Sequence, residues 1–311
     1  MKKGLCVLLC VLLLLLQGTV FSVFAEESGE VITFTDDLGR EVSLQKPERA
    51  AALIGSFADM WLLAGGEDTL VAAADDSWTQ FELPLSEEVK NLGAVKTPSL
   101  ETLIAAEPDF VIGSTKTAAD VEMMETLDQL GIPGACFDVS SFEDYLRVLD
   151  ILTQLTGDTE AYQENGVKLQ EQVDAARARV DDSHPTVLYV RATGSSCKVK
   201  NSENTVLGEM LKDLGCVNIA DSETGLLEDL SMETILKADP DYIFAVLQGS
   251  DNSDAQATLE GALLSNPAWE SLTAVAEGRF HLMDQRLYNV KPNARWGEAY
   301  EKLADILYPA D

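Results

Sequence analysis

Two stretches of this chain, 132 residues apart, repeat one another. Ser99 to Ile112 reads SLETLIAAEPDFVI, and Ser231 to Phe244 reads SMETILKADPDYIF. Ser, Glu, Thr, Ala, Pro and Asp keep their places, and most other positions exchange for similar residues. Agreement of this order over a long offset implies two related copies of one structural unit, and therefore two related lobes. Each copy has a physical reading. Ser99 and Ser231 are placed to N-cap a short helix. Glu101 and Glu233 then fall at its second position, where negative charge suits the helix dipole. Pro108 and Pro240 end the helix, and Asp109 and Asp241 lead into an apolar strand. A looser match relates Ser56–Asp75 to Asn204–Asp221: each reads as a helix ending at glycine (Gly65, Gly66; Gly215), then a short strand ending at Asp.

The flanking segments fit the same plan. Val31 to Leu44 reads as a β-hairpin turning at Asp36, Asp37 and Gly39. Ala50–Ile54, Leu70–Ala74, Phe110–Ile112 and Ala135–Asp138 read as buried strands, with helices over Leu100–Ala106 and Ala118–Leu130. A second series follows Thr186, with strands at Val187–Val190, Tyr242–Val246 and Phe280–Met283. Its helices fall at Thr205–Leu214, Met232–Ala238 and Ala294–Leu307. Alternation of this kind predicts an α/β fold of two lobes, each a mostly parallel sheet with flanking helices. Between them, Asp158 to Asp182 is rich in good helix formers, opens on an Asp cap and stops before Pro185. It reads either as one long connecting helix or as a further helix packed on one lobe. The division expected is residues 26–157, a connector over 158–182, and 183–311.

The first 25 residues read as an export signal: Lys2 and Lys3, an apolar run from Val7 to Leu16, and Val23-Phe24-Ala25 before Glu26. The alternative is an uncleaved anchor. The formal charge of −31 becomes −33 without Lys2 and Lys3. Such a charge excludes nucleic acid and anionic membrane surfaces as partners and suits solubility outside the cell. With only His184 and His281, a multi-histidine metal centre has no basis. Cys136, Cys197 and Cys216 remain after the signal, with no paired spacing, so at most one bridge is possible.

Thr35-Asp36-Asp37-Leu38-Gly39-Arg40-Glu41-Val42, the Lys46-Pro47-Glu48-Arg49 step, the two repeated segments and the stretch from Lys291 to Tyr300 occur in order. From about Val31 to its end the chain resembles the class III periplasmic binding proteins, the solute-binding components of ABC importers for ferric siderophores, haem or cobalamin. The resemblance implies two lobes joined by one long helix, with a small-molecule metal chelate held between them. It also implies a monomer outside the cell or in the periplasm that delivers to an ABC permease dimer, with no cofactor and no catalysis. One glutamate on each lobe would dock the permease, and those positions are Glu101 and Glu233; helix-start electrostatics alone is the other reading of the pair.

Ligands of open α/β sheets lie beyond the carboxyl ends of the strands. The loops there carry Ser56, Phe57, Trp78 and Lys116 in the first half. In the second they carry Arg191, Lys198 and Lys200 within one loop, then Gln248 and Arg286. These are the expected ligand-binding residues. The basic cluster either grips an anion or makes surface ion pairs, and Trp78 either stacks on a planar ligand or belongs to the core. Two further readings stand beside this one: a zinc or manganese importer component of the same architecture, and a secreted hydrolase. The second lacks a Gly-x-Ser-x-Gly elbow.

Overall fold

Side chains alternate along a β-strand, so a strand covered on both sides sends neighbouring residues into different cores. The computed structural model describes residues 30–249 and 252–309 and shows this in both halves of the chain. The expected export signal lies outside the described residues. β1 (Ile32–Thr35) and β2 (Glu41–Leu44) form the expected antiparallel hairpin. β3 (Ala50–Ala52), β4 (Leu70–Ala73), β5 (Lys90–Asn91), β6 (Phe110–Ser114) and β7 (Gly134–Phe137) form an all-parallel sheet in the order β5-β4-β3-β6-β7. In the second half, β8 (Thr186–Thr193), β10 (Val217–Asn218), β11 (Tyr242–Gln248) and β12 (Phe280–Met283) run parallel in the order β10-β8-β11-β12. β9 (Cys197–Lys200) pairs antiparallel with β8. Helices flank both sheets, as expected of this fold class.

Ala50, Ala52, Phe110, Ile112, Ala135 and Phe137 face one side of the first sheet, and Ala51, Leu53, Val111 and Cys136 the other. In the second sheet Val187, Tyr189, Phe244 and Val246 separate likewise from Leu188, Val190, Ile243 and Ala245. One face of each sheet belongs to a single continuous core, together with Leu169, Val173 and Ala176 and with Trp296, Tyr300 and Leu303. The two halves are therefore packed onto a shared spine.

Part of that spine is the segment after Asp158, whose carboxylate accepts the Ala161 N–H at 3.0 Å. Helix Thr159–Tyr162, a π-helical stretch Gln163–Val167 and helix Lys168–Arg177 follow without a break. Helix ends at Arg177, short of Asp182. There the guanidinium binds Asp213 of the second half at 2.6 Å and Glu143 of the first. The rest is the terminal helix Trp296–Leu307, which lies along Lys168–Arg177. Its Trp296 and Tyr300 rings meet Phe142 at 5.8 and 6.4 Å. Residues 291–307, expected within the second lobe, thus return to the first and to the connector.

The sequence repeat becomes a structural device. Ser99 Oγ accepts the Thr102 N–H at 3.2 Å, and Ser231 Oγ the Thr234 N–H at 3.3 Å. Glu107 and Asp239, equivalent by the same offset, both leave the helix with positive φ (48° and 39°). Asp109 then accepts the Glu48 and Arg49 N–H groups at 2.9 and 3.0 Å, just ahead of β3. Asp241 accepts the N–H and hydroxyl of Thr186, at the head of β8, at 2.8 and 2.7 Å. Each copy fixes the entry to its own sheet's central strand. Cys136, Cys197 and Cys216 are free thiols, the first and last buried. Among the described residues no helix is long and apolar enough to cross a membrane.

Candidate functional site

The carboxyl ends of the two sheets bound a cleft of about 890 Å³. Ser56 and Lys116 line it from the first half, and Arg191, Gln248 and Arg286 from the second, as expected. Phe57, Trp78, Lys198 and Lys200 do not line it. Ser56 and Phe57 open the helix Gly55–Leu63 side by side, so only one of them faces the cleft. Phe57 turns inward, fully buried against Phe137. Trp78 is half-buried and packs on the core. Lys198 and Lys200 lie not in a loop but on β9, because the alternation of Cys197-Lys-Val-Lys completes a hairpin with β8. Their partners across the pair are Arg191 and Tyr189, so all four project from one face. The strand β9 stands outside the cleft wall. Burial, then the charges of Arg191 and Lys198, hold the Lys200 ammonium below its ordinary range.

The cleft is cationic in a strongly acidic chain. Lys96, Lys116, Arg191, Arg286 and Lys291 line it against Asp76 and Asp284. Arg191 donates to Asn289 Oδ1 at 3.2 Å. Lys116 pairs with Asp138 at 2.9 Å and reaches Asn204, on the opposite wall, at 3.5 Å. Arg286 also crosses the cleft: it donates to the Gln80 carbonyl and lies 4.7 Å over the Phe81 ring. Three expected cations are thus already engaged at the walls. Apolar residues, Phe81, Val95, Val139 and Leu282 among them, make up the rest of the lining with neutral polar groups.

Sequence reasoning passed over Lys291. It falls in the stretch from Lys291 to Tyr300 that carries the family resemblance, and no local pattern marks it as a cleft residue. Asn293 explains its position. This residue is buried with φ 52°, a conformation asparagine tolerates, and donates to the Ser56 carbonyl at 2.9 Å and to Asp59 at 2.8 Å. Held this way, the 290–293 segment brings Lys291 from the second half to the first-half wall, with its Nζ 4.8 Å over the Phe57 ring. Burial pushes its ammonium down to about 8, while Asp138, Asp120 and Asp76 pull the other way. Asp120 is fully buried and pushed up to about 7, by burial above all. Its Oδ2 accepts the Ser114 N–H at 2.8 Å, and its Oδ1 has no partner among the described residues. Burial also raises Asp76, whose Oδ1 accepts the Gly55 N–H at 2.8 Å.

Glu101 and Glu233 sit outside the cleft, each exposed at the second position of its capped helix. Among the described residues no group of three or more His, Cys, Asp and Glu side chains is placed to hold a metal ion. His184 is exposed beside the Gly215 carbonyl, and His281 packs against the Tyr242 and Phe244 rings, both away from the cleft.

Residues 51–287 match the family model described as periplasmic binding protein, which is most of the chain. The chain belongs to the periplasmic binding protein family. Among the relatives of this periplasmic binding protein is the Bacillus subtilis lipoprotein YhfQ, named for ABC transporter substrate binding. It is 23% identical over 312 residues, 94% of this chain and 93% of YhfQ. Staphylococcus aureus SirA, solved in complex with staphyloferrin B, superposes with a TM-score of 0.66 at 22% identity, over 89% of this chain and 97% of SirA. The haem-binding protein RhuT of Roseiflexus sp. RS-1, solved in its apo form, gives 0.67 at 20% identity, over 84% and 98%. At these identities the solved structures establish the common fold, which is the class III architecture the sequence resemblance implied.

Proposed function

We propose that this protein is the exported solute-binding component of an ABC importer, and that it captures a metal chelate of ferric siderophore, haem or corrinoid type between its lobes. The observation that carries this reading is a cationic cleft at the carboxyl ends of two sheets in a chain of formal charge −31. Overall charge repels anions, so cations concentrated in one groove mark where an anionic ligand is wanted. Arginine meets paired oxygens with a planar fork, which suits carboxylate and catecholate edges. Phe81, Val95, Val139 and Leu282 supply the apolar area a ring-bearing chelate needs. A bare zinc or manganese ion wants converging histidines and carboxylates, and the cleft lining offers Asp76 and Asp284 without a histidine. The relatives' names point the same way. Binding rather than catalysis is the activity assigned.

In this reading residues 26–157 and 183–290 form the two lobes, and the connector with the terminal helix forms the spine that limits their closure. Glu101 and Glu233, matched by the repeat and exposed, dock a permease dimer. The protein works as a monomer outside the cell. Native mass spectrometry of the secreted protein tests the reading. A bound mass containing iron or cobalt within an organic chelate, released on unfolding, is the expected result. A bare divalent ion, or no adduct after incubation with ferric citrate, a ferric triscatecholate, haem and cyanocobalamin, overturns it.

A further inference from the structure

A buried lysine normally finds a carboxylate, because an ammonium taken out of water without a partner is costly. Lys291, half-buried by exposure but densely surrounded by protein, does not follow this pattern. Its side chain stands at the cleft wall over the Phe57 ring, and it makes no hydrogen bond or ion pair among the described residues. The three carboxylates that feel its charge are occupied by others: Asp138 by Lys116, Asp76 by the Gly55 N–H, and Asp120 in part by the Ser114 N–H. Ser56, which lines the cleft, is 2% exposed as a residue, and its hydroxyl is buried and likewise unpartnered. The backbone brings the two residues to one wall of the cleft. Ser56 adjoins Phe57, whose ring carries the ammonium, and the Ser56 carbonyl accepts from Asn293, two residues beyond Lys291.

We propose that the Lys291 ammonium and the Ser56 hydroxyl form an oxyanion subsite on the first-lobe wall, which receives a negatively charged carboxylate or catecholate oxygen at the edge of the bound chelate. The inference rests on the chelate-binding reading above and makes it more specific. A second donor pair faces it from the other lobe. There Arg191 lines the cleft beside Tyr189, whose hydroxyl is also buried without a partner. A chelate with anionic oxygens on opposite edges would engage a charged donor on each wall, so that binding favours the closed arrangement of the lobes. Haem places its two carboxylates on one edge, and corrinoids carry amides, so both match this pattern less well. The depressed ammonium supports the argument. A desolvated, unpaired charge is a stability cost that a ligand oxygen relieves.

The test uses the mature protein, ferric citrate and a ferric triscatecholate as anionic probes, and ferrichrome as an uncharged one, read by tryptophan fluorescence. The variants are Lys291→Met, Lys291→Arg and Ser56→Ala. Wild type is expected to bind at least one anionic probe and to prefer it to ferrichrome. Lys291→Met should bind that probe at least 10-fold more weakly, Lys291→Arg within about 3-fold of wild type, and Ser56→Ala in between. The ligand-free melting temperature of Lys291→Met should equal or exceed that of wild type, because the amine serves the ligand and not the fold. If wild type binds an anionic probe and Lys291→Met binds it within twofold, the subsite is refuted and the chelate reading stands. If Lys291→Met melts several degrees lower, the amine is structural and the subsite is refuted on that ground. If wild type binds none of the probes, nor haem nor cyanocobalamin, both the reading and the subsite fall.

Discussion

Replacing Lys291 with methionine keeps the stem and removes the charge, so the energetic cost of that charge can be measured. Burial lowers the ammonium from 10.5 to about 8 in the folded protein. Each tenfold change in proton affinity is 1.36 kcal/mol, so the charged form costs the fold about 3 kcal/mol at pH 7 relative to a neutral side chain. The direction with pH follows from proton counting. Between pH 8 and 10.5 the unfolded chain keeps a proton that the folded chain sheds, so the wild type's stability relative to the variant rises through that window. Below pH 8 the lysine is charged in both states and the cost is fully present. Near pH 10 only about 1 kcal/mol remains. The groups that set this behaviour are Asp138, Asp120 and Asp76, which favour the charge, and Lys116, which opposes it. Urea unfolding of both proteins at pH 7 and pH 10, without ligand, is the assay. Lys291→Met should be more stable by about 3 kcal/mol at pH 7, and the gap should shrink to about 1 at pH 10. A gap that does not change with pH, or a variant less stable at pH 7, would falsify the reasoning.

Asp241→Ala removes the acceptor for both Thr186 donors at the head of β8 and should lower stability by about 1–2 kcal/mol in urea unfolding, with Asp109→Ala acting alike at β3. No loss in either variant would show that the repeated aspartates are not strand anchors. Arg191→Ala should weaken binding of an anionic ferric chelate about 10-fold at low salt, with a smaller difference at 0.5 M salt; equal affinity at low salt contradicts an electrostatic grip. Glu101→Ala and Glu233→Ala should reduce uptake by cells while leaving chelate affinity of the purified proteins within twofold. A folded variant that loses chelate binding would count against the docking role.

The sequence by itself carried the architecture, because hydrophobic alternation, helix caps and the 132-residue repeat are local signals. Serine caps at 99 and 231, the hairpin around Asp36, and the strands at Phe110 and Tyr242 all stand where those signals put them. Repetition also exposed Asp109 and Asp241, although their strand-anchoring bonds became visible only once Glu48, Arg49 and Thr186 were placed beside them. The cleft was half legible. Loops at strand ends can be read from pattern, and Ser56, Lys116, Arg191, Gln248 and Arg286 line it. The direction of a side chain within such a loop is set by packing. Phe57 beside Ser56 went into the core, and Lys198 and Lys200 went onto β9. Lys291 was out of reach altogether. Its place depends on a chain crossing that returns the terminal segment to the first lobe, fixed by Asn293 in a left-handed conformation against Ser56 and Asp59. Local sequence determines which segments form strands and helices. Contacts between residues more than 230 positions apart determine which charge is left unpaired in the cleft, because only the assembled fold sets each group's distance from its partners and from water.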